Sequence, residues 1–253
     1  MTITPGKIIL LCWIVYALAF SRALLCRPPR SRNPHLFTRS LQPPLAILIV
    51  GATGGTGLEL VQQALAQGHR VTAFVRDPKR LPIEHENLRV ARGDVMDYPS
   101  VEAAMRGQDT VLCALGHKQF FRPTKILSEG TSHLLRAMKV CEVPRVVVES
   151  SLGVCDAAGR LGLIATLFMV PLILPFYFWD RRRQEKLITH SDPDWVIVRP
   201  SVLTSGVARG EYRHGNVGSY ILPTRVSRAD VAAFMLKQLS DDTYLGAAPG
   251  ICY

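Results

Sequence analysis

The feature that most constrains the fold is a glycine-rich turn that interrupts an apolar run near residue 50. Residues 47–61 have the sequence ILIVGATGGTGLELV, in which Gly51, Gly54 and Gly57 recur at three-residue intervals. In such a turn one glycine permits a tight bend, one lets the backbone approach a pyrophosphate, and one lets a helix pack closely on a strand. The spacing therefore predicts a turn that binds a dinucleotide phosphate, provided that a strand precedes it and a helix follows.

The segments on either side of the turn supply that context. Residues 45–50 are continuously apolar and lie between prolines and a glycine, as expected for a buried parallel strand. Apolar residues then recur along one face of a helix predicted over 58–68, and a second strand is predicted over 70–76. A strand-to-helix turn with a purely structural role is the alternative.

The residues at the end of the second strand indicate which dinucleotide is bound. A carboxylate there would bind the ribose 2′-hydroxyl of NAD, whereas an arginine accommodates the 2′-phosphate of NADP. This chain has Arg76, followed by Lys79 and Arg80. A guanidinium group matches the geometry of a phosphate, so we predict NADP (NADPH) as the cofactor. A basic surface turn is the alternative.

Beyond this unit, apolar runs and amphipathic segments continue to alternate. Further strands are predicted at 88–91, 110–115, 145–150 and 195–199, and further helices at 99–106, 124–140, 180–190 and 228–239. Such alternation is typical of a parallel sheet covered by helices. We therefore predict one α/β domain at 45–253, a Rossmann-like, doubly wound parallel sheet.

The formal net charge of +10 does not indicate a nucleic-acid-binding protein. Residues 1–45 hold six of the 30 lysines and arginines and no acidic residue, which leaves 24 basic against 20 acidic residues in the rest of the chain. A mild excess of this kind is typical of a solvated surface. No aromatic-interleaved basic stripe is present, and no cluster of His, Cys and carboxylates has metal-ligand spacing. We expect neither nucleic acid nor a bound metal.

The first 44 residues differ in composition from the rest of the chain. Residues 1–26 form an N-terminal hydrophobic segment, and residues 27–44 form a linker rich in Arg, Ser and Pro. Arginines follow the apolar run, which favours a membrane anchor that leaves the domain facing the cytoplasm. A signal or organellar transit peptide, with a soluble protein after cleavage, is the alternative, and an unprocessed soluble tail is a third interpretation.

Several motifs together resemble one known family. They are GATGGTG (51–57), VTAFVRDPKRLP (71–82), GDVMD (93–97), SEGTSHLLRAM (128–138), VVVESS (146–151), WVIVRPSVLT (195–204) and VSRADVAAFML (226–236). Over about residues 45–245 the chain resembles the atypical short-chain dehydrogenase/reductases, specifically the NAD(P)H-binding, NmrA-like branch that includes the flavin reductase/biliverdin-IXβ reductase type.

The resemblance implies a Rossmann fold and a set of cofactor contacts. The residues implied to bind NADP are Gly51, Thr53, Gly54, Gly55, Thr56, Gly57, Arg76 and Arg80. The adenine is expected near Asp94 and Val95. The nicotinamide is expected between Ser151 and the loop that contains Leu115 and Gly116. His117 and Lys118 follow in this loop, either as cofactor or substrate contacts or as a solvent-facing pair.

The catalytic candidates lie at the other end of the cofactor. Ser151 ends a predicted strand, and the resemblance implies that it hydrogen-bonds the reacting group; bonding to the local backbone is the alternative. Lys186 stands where the lysine of a Tyr-x-x-x-Lys motif is expected, but the residue four positions earlier is Arg182, and the chain contains no Tyr-x-x-x-Lys. Glu185 occupies the position of a histidine in the biliverdin reductase type and is a candidate acid if it is desolvated.

Without that tyrosine, the favoured reaction is hydride transfer from NADPH to a quinone or flavin, whose proton can come from water. For such a reaction the protein mainly binds and orients. The alternative is a non-catalytic NAD(P)-sensing or assembly-factor protein of the NmrA-like kind.

One further segment, residues 161–179, is apolar and contains no charged residue. Pro171 and Pro175 would interrupt a membrane-spanning helix there, and a crossing would separate two strands of one sheet. We expect instead a hydrophobic lid over the nicotinamide end. Such a lid favours a lipophilic small-molecule substrate, with possible membrane contact through residues 8–26 and 161–179. Ordinary core packing is the alternative.

Overall fold

The computed structural model describes residues 5–23, 41, 43–117 and 119–253. Most of the linker predicted over 27–44 lies outside the described residues, and so does Lys118.

Within the described residues, ten strands form one large and one small sheet. In chain order they are β1 (Ala46–Val50), β2 (Arg70–Val75), β3 (Leu88–Arg92), β4 (Thr110–Cys113), β5 (Arg145–Glu149), β6 (Asp194–Pro200), β7 (Val202–Thr204), β8 (Arg213–Gly215), β9 (Arg225–Ser227) and β10 (Gly250–Cys252). The large sheet has the order β3-β2-β1-β4-β5-β6-β10-β8, and β7 pairs with β9. Of these pairs, β8 with β10 is antiparallel and the others are parallel.

Helices cover both faces of this sheet. They are α2 (Gly55–Ala66), α3 (Tyr98–Met105), α4 (Ile126–Val140), α5 (Pro175–Thr189) and α6 (Arg228–Lys237), whereas a further helix, α1 (Pro5–Ala23), packs away from the sheet. Successive residues of a strand point to opposite faces. Accordingly, Ile47 and Ile49 of β1 pack in a cluster with α2 and α6, whereas Leu48 and Val50 pack in a second cluster with α3, α4 and α5. The central strand is therefore buried on both sides, as the apolar run at 45–50 predicted.

The predicted fold class is confirmed, and the differences are local. The short strands β7 to β10 were not predicted, because runs of three residues carry little periodicity. Helix α5 begins at Pro175, five residues before the predicted start, because proline is tolerated in the first turn of a helix, where its missing N–H would be unpaired. Pro171 lies within a π-helical segment, Ala165–Ile173, that leads into α5.

The N-terminal helix α1 packs against this π-helical segment. The indole Nε1 of Trp13 donates a hydrogen bond of 3.0 Å to the carbonyl oxygen of Leu167. The structure gives no support to the membrane anchor expected over residues 1–26, because none of the helices within the described residues is long and apolar enough to span a bilayer.

Candidate active site

The glycine turn connects β1 to α2 with backbone contacts that exclude larger side chains. Gly51 has a φ of +82°, and a Cβ added there would lie 2.4 Å from the carbonyl oxygen of Ala114. A Cβ on Gly57 would lie 2.1 Å from the carbonyl oxygen of Gly51. The N-cap of α2 is Gly54, which has no side chain with which to cap the first amides. Those amides are therefore free to bind an anion.

A cavity of about 640 Å³ runs from this turn along the carboxyl edge of the sheet. Arg76 and Arg80, after β2, line it on one side of the turn. Ser151, after β5, lines it on the other side, with β1 and β4 between the two positions. Ligands of open α/β sheets bind at this edge.

Most of the residues predicted to bind the cofactor line this cavity. They are Gly51, Thr53, Gly54, Gly55, Thr56, Arg76, Arg80, Asp94, Val95, Leu115 and Gly116, and Ser151 lines it as well. Gly57 is not among the lining residues and instead packs on the turn behind it. The cavity thus brings together the two ends of a dinucleotide site, and contact with the cofactor itself stays a prediction.

Ser151 and His117 line this cavity with polar groups that already hydrogen-bond to the protein. The Ser151 hydroxyl donates a hydrogen bond of 2.8 Å to the carbonyl oxygen of Leu152. This is the bond to the local backbone that was the alternative to a bond with the reacting group. His117 lines the cavity and lies 3.0 Å from the Thr124 hydroxyl. Burial lowers the pKa of His117, and Asp180 opposes this shift.

The structure does not place Glu185 or Lys186 in the cavity lining. Glu185 is 1% exposed and accepts hydrogen bonds from Arg199 at 3.0 Å (Nε to Oε1) and 2.7 Å (Nη2 to Oε2), and from the Ser150 hydroxyl at 2.5 Å. Burial alone would lower the pKa of Arg199, yet Glu185 and Asp156 raise it above its usual value. The Glu185 carboxylate is therefore held in a buried ion pair. Lys186, one residue further along the helix, is exposed.

Sequence reasoning missed a tyrosine and an arginine that line the cavity together. Arg181 is 3% exposed and donates two hydrogen bonds to the Tyr177 hydroxyl, from Nε at 3.1 Å and from Nη2 at 2.6 Å. Its Nη1 donates to the Glu149 carbonyl oxygen at 2.6 Å and to Gln184 Oε1 at 2.9 Å. The signal was a Tyr-x-x-x-Arg spacing on a helix, where residues four apart are neighbours.

Glu149 and Arg228 approach the glycine turn from other elements. The Thr56 hydroxyl donates a 2.9 Å hydrogen bond to Glu149, a buried carboxylate at the end of β5. Burial raises the pKa of Glu149, and Arg181 and Thr56 oppose this shift. Arg228 lies over the turn, because a Cβ on Gly55 would come within 2.5 Å of its Cδ. Its guanidinium adds positive charge where a diphosphate would bind.

The cavity wall contains the buried hydroxyl of Ser201. Ser201, which follows β6, is 4% exposed, and among the described residues nothing hydrogen-bonds its Oγ. An unsatisfied buried hydroxyl costs free energy, so a polar group of a ligand would stabilise it. Together with the uncapped amides and the arginines, this fits a polar, anionic dinucleotide.

Comparisons with known proteins agree with this geometry. A family model described as NAD(P)H-binding matches residues 51–242. An uncharacterized chloroplastic protein of Arabidopsis thaliana is 32% identical over 173 residues, which cover 65% of this chain and 61% of that protein. The chain thus spans about three fifths of the length of this relative. A 3-diazoavenalumate denitrifying reductase of Streptomyces is 28% identical over 222 residues, which cover 81% of this chain and 71% of the reductase.

A solved structure extends the comparison to the fold. A wide-type short-chain dehydrogenase/reductase from Veillonella parvula, in complex with NADP, superposes with a TM-score of 0.70. The superposition covers 83% of this chain and 94% of that chain at 19% identity, which shows a common fold alone.

Proposed function

The chain belongs to the NAD(P)H-binding family, and we propose that it is an oxidoreductase that uses NADPH to reduce an apolar, redox-active small molecule of the quinone or flavin type. This membership bears out the NAD(P)H-binding family that the motifs resemble. The name of the Streptomyces relative, a reductase, supports the proposed class of reaction.

The observation that carries the proposal is a cavity that joins the glycine turn after β1 to the side chains of Ser151 and Tyr177. Arg76, Arg80 and the amides at the start of α2 would hold the phosphates of the cofactor, and Ser201 would bind one of its polar groups. When bound there, NADPH supplies the hydride. A substrate would then lie in the part of the cavity lined by Ser151 and Tyr177.

Tyr177 is suited to give the proton that completes such a reduction. Its oxygen accepts two hydrogen bonds from Arg181, so both lone pairs are engaged and its own hydrogen remains to be donated. The guanidinium also stabilises the negative charge left on the phenol oxygen after proton transfer. Arg181 is itself fixed by Glu149 and Gln184 and acts as a positioning residue.

Turnover and binding measured on the same purified protein test the proposed function. We expect NADPH oxidation, monitored through the loss of the ultraviolet absorbance of the reduced nicotinamide ring, to depend on an added 1,4-naphthoquinone or free flavin. Tight NADP binding in calorimetry with no turnover of either acceptor would instead favour the non-catalytic sensor. Absence of any nucleotide binding by the folded protein would overturn both.

The choice of NADP over NAD is proposed to depend on Arg76. Arg76→Ala should weaken NADP binding by roughly 10- to 100-fold and leave NAD binding nearly unchanged, because a hydrogen bond to a charged phosphate contributes about 1.5–3 kcal/mol. Isothermal titration with each dinucleotide measures this. Arg89→Ala, an exposed arginine of β3 that does not line the cavity, is the matched control. Equal losses for both dinucleotides would contradict a role in selectivity.

We also propose that the protein is delivered to an organelle. The support is the chloroplastic name of the Arabidopsis relative and the acid-free, arginine-containing composition of residues 1–44. A fluorescent protein fused after residue 44 should accumulate in an organelle. A uniform cytosolic signal would contradict the proposal.

A further inference from the structure

We propose that one side of the domain docks on the surface of an anionic lipid bilayer. This side, called the apolar face below, is formed by the segment 163–179 and the loop 220–222. Its members with more than half of their surface exposed are Leu163, Ile164, Leu172, Tyr220, Ile221 and Leu222. Soluble monomers rarely expose a continuous apolar patch of this kind, and such patches mark interaction sites.

The two segments form one continuous surface, because they are bonded to each other. The Leu163 amide donates a hydrogen bond of 3.1 Å to the carbonyl oxygen of Ile221. Helix α1 extends the surface, since the ring of Trp13 stacks on Phe168 at 6.4 Å between centroids. Four more apolar residues of α1 are over half exposed, namely Leu10, Leu11, Val15 and Leu18.

The arginines that border this surface lie next to aromatic side chains. The Arg160 Nε donates a hydrogen bond of 3.3 Å to the Tyr220 hydroxyl, and the Arg182 guanidinium lies 5.7 Å from the Trp179 ring. Arg22 borders the groove between α1 and Tyr220. Aromatic rings and arginines around an apolar centre are typical of proteins that lie in the membrane interface, where the rings enter the headgroup region and the cations meet anionic lipids.

The distribution of acidic residues favours the same partner. The sequence contains no Asp or Glu at residues 1–58, 157–179 or 212–229, which include every segment of this surface. The carboxylates next to the apolar face are engaged elsewhere: Asp180 is buried against the start of α4, and Asp156 is paired with Arg199. Two copies joined by this face would bring like charges together, so an anionic bilayer fits it better than a second copy.

Vesicle binding by the full chain tests the inference without reference to turnover. We expect the protein to co-sediment with vesicles of phosphatidylcholine and phosphatidylglycerol, and more weakly with phosphatidylcholine alone. Ile164→Asp and Leu172→Asp should each lower the affinity by at least about tenfold, because each places a charge in the apolar contact. Arg22→Glu should lower binding to the anionic vesicles only.

The controls separate docking from misfolding and from self-association. Val207→Asp changes an apolar residue that is 87% exposed outside the apolar face, and it should bind vesicles like the parent. Unchanged thermal unfolding and NADP binding show that each variant is folded. Equal vesicle binding by parent and Ile164→Asp would overturn the inference. So would a stable dimer, seen by light scattering, that Ile164→Asp converts to a monomer while neither protein binds vesicles.

Discussion

Replacing Tyr177 by phenylalanine should lower kcat for quinone reduction by roughly 10²- to 10⁴-fold, the range expected when a positioned general acid is removed. The phenylalanine ring fills nearly the same space, so NADP binding should stay close to that of the parent protein. The free energy of unfolding should fall by about 1–3 kcal/mol, because two donors of the buried Arg181 lose their acceptor. Only the hydroxyl that Arg181 orients is lost. Steady-state oxidation of NADPH with a 1,4-naphthoquinone gives kcat, and calorimetry gives the affinity for NADP.

A second tyrosine provides a matched control for this substitution. Tyr220 also accepts a hydrogen bond from an arginine, at 3.3 Å from Arg160 Nε, but it does not line the cavity. Tyr220→Phe should therefore leave kcat unchanged in a soluble assay. If Tyr177→Phe also leaves kcat unchanged, water supplies the proton and the role proposed for the hydroxyl is wrong.

Replacing Glu185 by alanine should lower the free energy of unfolding by about 3–5 kcal/mol, because it leaves a buried guanidinium without its main partner. Glu185 and Arg199 are 1% and 2% exposed, and their two hydrogen bonds measure 2.7 and 3.0 Å. The remaining carboxylate partner of Arg199, Asp156, is 39% exposed and pairs with Nη1 alone. Urea unfolding followed by fluorescence measures the change.

The ion pair between Glu129 and Lys125 lies on the surface and provides a control for this substitution. The Glu129 carboxylate lies 3.4 Å from Lys125, and both side chains are about half exposed. Glu129→Ala should therefore change the free energy of unfolding by less than about 1 kcal/mol. If Glu185→Ala unfolds at the same urea concentration as the parent but loses turnover, the structural role assigned to Glu185 is wrong. The carboxylate would then act in catalysis, as the sequence suggested.

The predicted residues that the structure brings to the cavity were located from local sequence. A glycine turn between a strand and a helix is a contiguous motif, and Arg76 follows the next strand at a spacing set by the βαβ unit. The alternation of apolar runs and amphipathic helices likewise predicted the parallel sheet. Register and strand order then bring Ser151 to the same edge as the turn.

The parts that were missed depend on contacts between distant residues. Glu185 and Arg199 lie on a helix and on the following strand, and nothing in their spacing shows that they pair. Arg228 reaches the turn from the start of α6. Tyr177 was overlooked for a different reason, since it stands in an apolar run and is followed four residues later by arginine rather than by the lysine that was sought.

The first two turns of α5, Pro175–Arg181, have two sides with different surroundings. Phe176 and Trp179 are exposed on the apolar face, whereas Tyr177 and Arg181 line the cavity. Each residue of an α-helix is rotated by about 100° from the one before it. An insertion or deletion of a single residue before Tyr177 within these two turns would therefore move the phenol out of the cavity and carry an outward side chain into it. Homologues in which one side of this segment lines the cavity and the other side is exposed on the apolar face can differ in length before Pro175. They cannot differ in length between Pro175 and Arg181.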